Sequence, residues 1–145
     1  MRKQLFRLGF AVTVFSVVLA EVSCGSSSPA APTPTATVSF ATQIQAQIFD
    51  PACISCHTDV GRTPSGGLNL KSGTAFSQLV GVAAPQKPGA TLVIAGNPSG
   101  SYLVQKLEGA ADIVGSRMPR TGPPFLSDAQ VALIRLWIQN GALNN

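Results

Sequence analysis

Apolar and polar positions fall into four distinct patterns along this chain. From Leu8 to Ala20 the residues are uncharged and mostly Val, Leu, Phe and Ala, preceded by Arg2, Lys3 and Arg7. Between Gly25 and Thr37 the apolar signal gives way to Ser, Pro, Ala and Thr. Phe40, Ile44 and Ile48 then recur at i, i+4, i+8 with Gln residues between them, which predicts a helix with an apolar stripe on one side and glutamines on the other. Pro51 closes or redirects that helix. Near the end, Val131, Ile134 and Ile138 share a face with Leu133 and Trp137 beside them, the clearest helical pattern of the chain. Ser127-Asp128-Ala129-Gln130 has the Ser-x-x-Gln order of a capping box at its start, and Gly141 suits the C′ position at its end.

The stretches between these patterns are broken. Residues 58–72 are punctuated by Gly, Pro and Asn and read as loop. A short helix is predicted over 72–80, followed by a loose stretch through Pro85, Pro88 and Gly89. Asn97-Pro98-Ser99-Gly100-Ser101 is a helix-start cluster ahead of Tyr102 to Leu107. Residues 115–124 are loop again. There is no alternating strand pattern and no internal repeat, so the expected class is all-α with long loops.

The first two patterns bear on organisation rather than on fold. A basic start followed by a short apolar run is the signature of a secretory signal peptide, and the run is too short to cross about 30 Å of hydrocarbon as a helix. Export is therefore expected. Val22-Ser23-Cys24 resembles the end of a bacterial lipoprotein signal, which would make Cys24 the lipidated first residue, although Glu21 stands where such signals carry an aliphatic residue. Val18-Leu19-Ala20 offers an ordinary small-residue cleavage site instead. Lipidation of Cys24 is the preferred reading, because a leftover free Cys is unusual in an exported protein. The Gly/Ser/Pro/Ala/Thr stretch after it is also the tether a membrane-anchored domain needs. The expected division is a signal peptide over 1–23, a flexible tether over 24–38 and a folded domain over 39–145.

Composition narrows the chemistry. The chain has 145 residues, a formal charge of +4, 45% hydrophobic and 11% charged residues. Removing 1–23 leaves seven Lys and Arg against five Asp and Glu. No dense basic face is available for nucleic acid, so a nucleic-acid partner is excluded. The single His rules out His-dyad catalysis and multi-His metal centres. A domain of this size with so much loop buries too little apolar surface by itself, which points to a cofactor at its centre.

Cys53-Ile54-Ser55-Cys56-His57 is C-x-x-C-H, the attachment motif for a c-type haem. Two thiols at this spacing reach the two vinyl groups of one haem edge, and the adjacent imidazole turns onto the iron. Three other readings compete: a Cys53–Cys56 disulfide, a zinc site needing a fourth ligand, and a thioredoxin-like redox pair, for which the βαβ setting is missing. For the opposite iron face, Met118 is the one Met left after signal removal. It lies in a Gly/Pro-rich loop, where packing alone does not favour a Met, and the prolines stiffen that loop. Tyr102, a Lys, water or an open position are the alternatives.

These residues together resemble a class I monohaem c-type cytochrome: an N-terminal helix, C-I-S-C-H, a loop-rich middle, a Met loop and a C-terminal helix. More narrowly, G-G-L-N-L, G-N-P-S-G-S-Y-L, M-P-R-T-G-P-P and L-I-R-L-W-I-Q-N-G-A are similar to cytochrome domains of planctomycete-type bacterial proteins. Phe125 departs from the pattern by standing between Pro124 and Leu126. The resemblance implies a small loop-rich cytochrome c fold whose N- and C-terminal helices cross around one haem, packing through Phe40/Ile44/Ile48 and Ile134/Trp137/Ile138. It implies covalent haem at Cys53 and Cys56, with His57 and Met118 as iron ligands. It also implies that His57 Nδ1–H donates to a backbone carbonyl in the Pro64–Gly67 region.

Leu68, Leu70, Tyr102 and Leu103 are candidate haem-pocket residues, with an ordinary core position as the alternative for each. Trp137 reads as core rather than as an electron conduit. Arg62, Lys106, Arg117 and Arg120 read singly as solvated charges, and together as a ring able to steer an acidic partner. The expected function is a non-enzymatic one-electron carrier, exported to the periplasm or cell envelope, that meets redox proteins briefly. The alternative is a five-coordinate haem c sensor or peroxidase-like protein.

Overall fold

The computed structural model describes residues 37–59 and 66–145. The expected signal peptide, the tether up to residue 36 and Cys24 lie outside the described residues, as does Arg62. In chain order the elements are a π-wound helix Phe40–Phe49, a helical turn α1 (Asp50–Ala52) that continues it, α2 (Ala75–Leu79), α3 (Tyr102–Glu108) and α4 (Asp128–Gln139). Among the described residues there is no strand, only two isolated bridges, Val80 with Val93 and Ala83 with Thr91. The helical class expected from the absence of alternation therefore holds.

The first helix departs from its prediction in winding. The Ile44 amide donates to Ser39 O at 3.3 Å and the Ile54 amide to Phe49 O at 3.2 Å, each five residues back, the bond that defines a π turn. The buried positions are Phe40, Ile44, Gln45, Ile48 and Phe49, two rows (40/44/48 and 45/49) that each recur every four residues. That repeat is wider than the 3.6 residues of an α-helix. The stripe Phe40/Ile44/Ile48 survives, but Gln45 and Phe49 join it. Gln45, expected on the polar side, is only 4% exposed. Its Nε2 donates to Leu70 O at 2.9 Å and to Asp50 Oδ1 at 2.6 Å, while its Oε1 is buried without a partner.

The amides at the start of this helix are satisfied from both sides of the sequence. Ser39 Oγ accepts from the Thr42 amide, and Asn145 accepts from the Phe40 amide through Oδ1 and from the Ala41 amide through its main-chain oxygen, each at 2.9 Å. Pro51 stands in α1, where the π winding ends, and the helix stops at Cys53.

Helix α4 follows its sequence closely. Both halves of the capping box form: the Gln130 amide donates to Ser127 Oγ and the Ser127 amide donates to Gln130 Oε1 at 2.9 Å. Gly141 takes the left-handed conformation past its end. This helix packs on the π helix and on α3. Ile44, Ile134, Trp137 and Ile138 are fully buried there. The Phe40 ring lies 5.1 Å from Trp137, 5.5 Å from Phe76 and 6.1 Å from Phe49, centre to centre. Trp137 Nε1 donates to Leu143 O at 2.9 Å, so the indole is a core residue with its polar atom satisfied. Each such side chain contributes about 1.5–3 kcal/mol by leaving water.

Helix α3 begins where the Asn97–Ser101 cluster predicts. Ser101 is fully buried, and its hydroxyl donates to Asn97 O and accepts from the Ile94 amide rather than capping the helix. Gly109 ends α3 at φ +76°, and a Cβ there would come within 2.9 Å of the Arg117 side chain. Between α2 and α3 the chain folds back on itself, with Leu92 N donating to Val82 O and Ala84 N to Ala90 O, both at 2.8 Å. The sequence showed this stretch only as a loose loop.

Candidate cofactor cavity

A cavity of about 840 Å³ opens between the Cys53–His57 turn, residues 66–70, α2, the 82–92 fold-back, α3 and the 114–121 loop. It is within the usual size range of a bound organic group. Its walls include Leu68, Leu70, Val82, Leu92, Leu103 and Leu107. Cys53, Cys56, His57 and Met118, separated widely in sequence, all line it, as do Tyr102, Lys106 and Arg120. All four candidate pocket residues, Leu68, Leu70, Tyr102 and Leu103, reach this wall, and three of them also belong to the buried core.

The turn carrying the motif is short and hydrogen-bonded. The Cys53 amide donates to Phe49 O, and the amides of Cys56 and His57 both donate to Cys53 O, at 2.9–3.1 Å. This places the two cysteines and the histidine within one turn. The Leu70 amide donates to His57 O at 2.9 Å, fastening the turn to the 66–70 segment. Cys53 carries a free thiol, so it is not bridged to Cys56. Burial pushes that thiol up to about 12, with Asp50 and Cys56 adding to the effect. The Cys56 residue is exposed. Among the described residues no group of three or more His, Cys, Asp or Glu side chains is placed to hold a metal ion.

The His57 ring is held below its usual basicity, chiefly by burial, with the Leu68 backbone opposing and Lys106 adding to the lowering. Its Nδ1 is buried and makes no hydrogen bond. The implied bond to a carbonyl of Pro64–Gly67 is therefore not made to Gly66 or Gly67, and Pro64 and Ser65 lie outside the described residues. The Leu68 carbonyl, one residue beyond that range, favours the protonated ring without reaching hydrogen-bond geometry. With Nδ1 enclosed, Nε2 is the nitrogen left for a ligand.

Met118 is half-buried and packs against the core. Its amide donates to Lys106 O at 2.9 Å. The loop before it is tied to α3 by further bonds: Val114 N to Tyr102 Oη at 2.9 Å, Lys106 Nζ to Val114 O at 2.8 Å and to Ser116 O at 2.6 Å, and Arg117 Nε to Leu107 O at 2.7 Å. The Arg117 guanidinium also lies 4.2 Å above the Phe125 ring. Phe125 fills the space beside Gly122, where any Cβ would overlap the ring.

Lys106 and Arg117 are thus engaged with main-chain oxygens, not simply solvated charges as expected. Burial, then the charge of Arg120, lowers the Lys106 ammonium from its ordinary basicity. The signal for Lys106 was present in the sequence: it stands four residues after Tyr102, on the same face of a short helix as that ring. Gln78 and Gln86, which also line the cavity, carried no such signal.

Among the described residues no helix is long and apolar enough to cross a membrane. Compared with family models, with curated proteins and with solved structures, the chain matches none of them.

Proposed function

We propose that this chain binds one haem c covalently, within a small loop-rich cytochrome c fold, and serves as a one-electron carrier. The observation that carries the reading is the convergence of Cys53, Cys56, His57 and Met118 on the walls of one largely apolar cavity. The residues fit the group. Cys53 and Cys56 supply thiols for the two thioether links, with Cys53 unbridged. His57 offers Nε2 because its Nδ1 is enclosed. Met118 supplies a thioether from a separate loop.

Bound there, the haem contributes an iron that gains or loses a single electron. The chain's own residues determine how readily it does so. Leucines on the cavity wall keep water from the site, and a Met donor in apolar surroundings favours the reduced state. The single His57 is used as a ligand, so no imidazole remains to move protons on a peroxide. Export, and anchoring through a lipid on Cys24 by way of the 24–38 tether, accompany this reading. Partners would be redox proteins that dock through a small, short-lived contact.

The optical and magnetic spectra of the oxidised protein test the ligand set. Low-spin iron is expected in the natural sequence and high-spin iron in Met118→Ala. High-spin iron in both would leave Met118 without a role and favour the five-coordinate alternative.

A further inference from the structure

We infer that Lys106 is a positioning residue for Met118, holding the 114–118 segment at the cavity wall with both its main chain and its ammonium. The inference rests on the haem reading above. Three bonds from this one residue converge on a single short segment. Lys106 O accepts from the Met118 amide, while Lys106 Nζ donates to Val114 O at 2.8 Å and to Ser116 O at 2.6 Å. The two carbonyls flank Gly115, whose φ of +72° is a conformation other residues rarely adopt. A segment hinged at such a position has little intrinsic stiffness, so its shape depends on what grips it.

The neighbouring holders cannot substitute. Tyr102 Oη engages only the Val114 amide, and Arg117 reaches back to Leu107 O without lining the cavity. Lys106 alone touches the segment on both sides of Gly115 and also bonds Met118 itself. An ammonium suits the task, because it presents several donors on a long stem and two carbonyl oxygens need to be met at once. The side chain is partly solvated, so the two contacts together are worth less than a buried pair and the effect of losing them is moderate.

Imidazole added to the oxidised haem-loaded protein must displace Met118, so its apparent affinity reports how firmly the loop holds that sulfur. Lys106→Met, which keeps the stem and removes the donors, is expected to bind imidazole about ten-fold more tightly, the equivalent of roughly 1.4 kcal/mol. Lys106→Arg, which retains charge and donors, is expected to stay near the natural sequence. Imidazole binding in Lys106→Met within two-fold of the natural sequence would overturn the inference, whatever happens to the melting temperature. If Lys106→Met does not accumulate, hydrogen exchange compared between Lys106→Gln and the natural sequence decides: faster exchange of the Met118 amide in the variant supports the grip and equal exchange removes it. The same exchange measurement works on a chain without haem, so failure of the haem reading and failure of the Lys106 assignment remain distinguishable.

Discussion

Around Trp137 the contacts are between side chains: the Phe40 ring lies tilted against the indole, Ile134 and Ile138 are fully buried on the same helix, and Ile44 is fully buried on the facing one. Around Met118 they are mostly hydrogen bonds that tie α3 to a loop: Tyr102 Oη accepts from a loop amide, Lys106 donates to two loop carbonyls, and Arg117 of the loop donates to Leu107 O of α3. The first region gains stability from area removed from water, and its parts are replaceable only at a large cost. The second is held by bonds worth about 0.5–1.5 kcal/mol each, and it encloses a cavity rather than a packed interior. A small domain built this way divides labour. One side supplies the rigid frame, and the other keeps a ligand-sized space and the side chains that line it.

That contrast is broken most severely at the frame. Trp137→Ala is expected to remove about 3–5 kcal/mol, read from denaturant unfolding, whether the cavity is filled or empty. A loss below about 1 kcal/mol would mean that the terminal helices do not carry the fold. Next comes Gln45→Leu, which strips a donor from Leu70 O at the seam between frame and cavity. It should lower stability by about 1–3 kcal/mol, partly offset because the unpaired Oε1 disappears as well. Amide exchange at Leu70 should rise with it, since the Leu70 amide is bonded to His57 O.

Ser127→Ala removes one half of the capping box of α4 and should cost about 1 kcal/mol by the same unfolding measurement, with no change in the optical spectrum. The smallest effect lies at the surface on the cavity side. Lys87, 2.6 Å from Asp112 Oδ2, holds that exposed carboxyl below its ordinary 3.8. A carboxyl lowered in the folded state stabilises it above the unfolded value, and the contribution is lost as pH falls through the lowered one. Asp112→Asn should therefore match the natural sequence in acid below that range and fall slightly short of it at neutral pH. Salt should erase the difference.

The frame was legible in the sequence because its signals are local. Ser127 and Gln130 announce the cap of α4, and the Ile134/Trp137/Ile138 spacing announces its buried face. Phe40, Ile44 and Ile48 were read correctly as a stripe. The π winding was not legible, because the same stripe satisfies either helix, and the bonds to oxygens five residues back that distinguish them leave no mark on it. Cys53, Cys56 and His57 of the motif and Met118, chosen by elimination, all line one cavity. What held Met118 was misjudged. The prolines around it suggested a self-stiffened loop, whereas the bonds come from Tyr102, Lys106 and Arg117 on and near α3. The Tyr102/Lys106 spacing placed both side chains on one helix face, but their bonds to the loop join residues whose spacing has no period, so no pattern reveals those bonds. The 82–92 fold-back was hidden for the same reason, its bridges being too few to produce alternation.

The central claim is a covalent link between the Cys53–His57 turn and a haem, and intact mass spectrometry of protein matured in a host that attaches such groups tests it most directly. The account predicts a mass greater than the processed polypeptide by one haem, with the excess surviving denaturation and located on the peptide containing Cys53 and Cys56. A polypeptide mass with no such excess, from a host that loads a known c-type cytochrome in parallel, would contradict it.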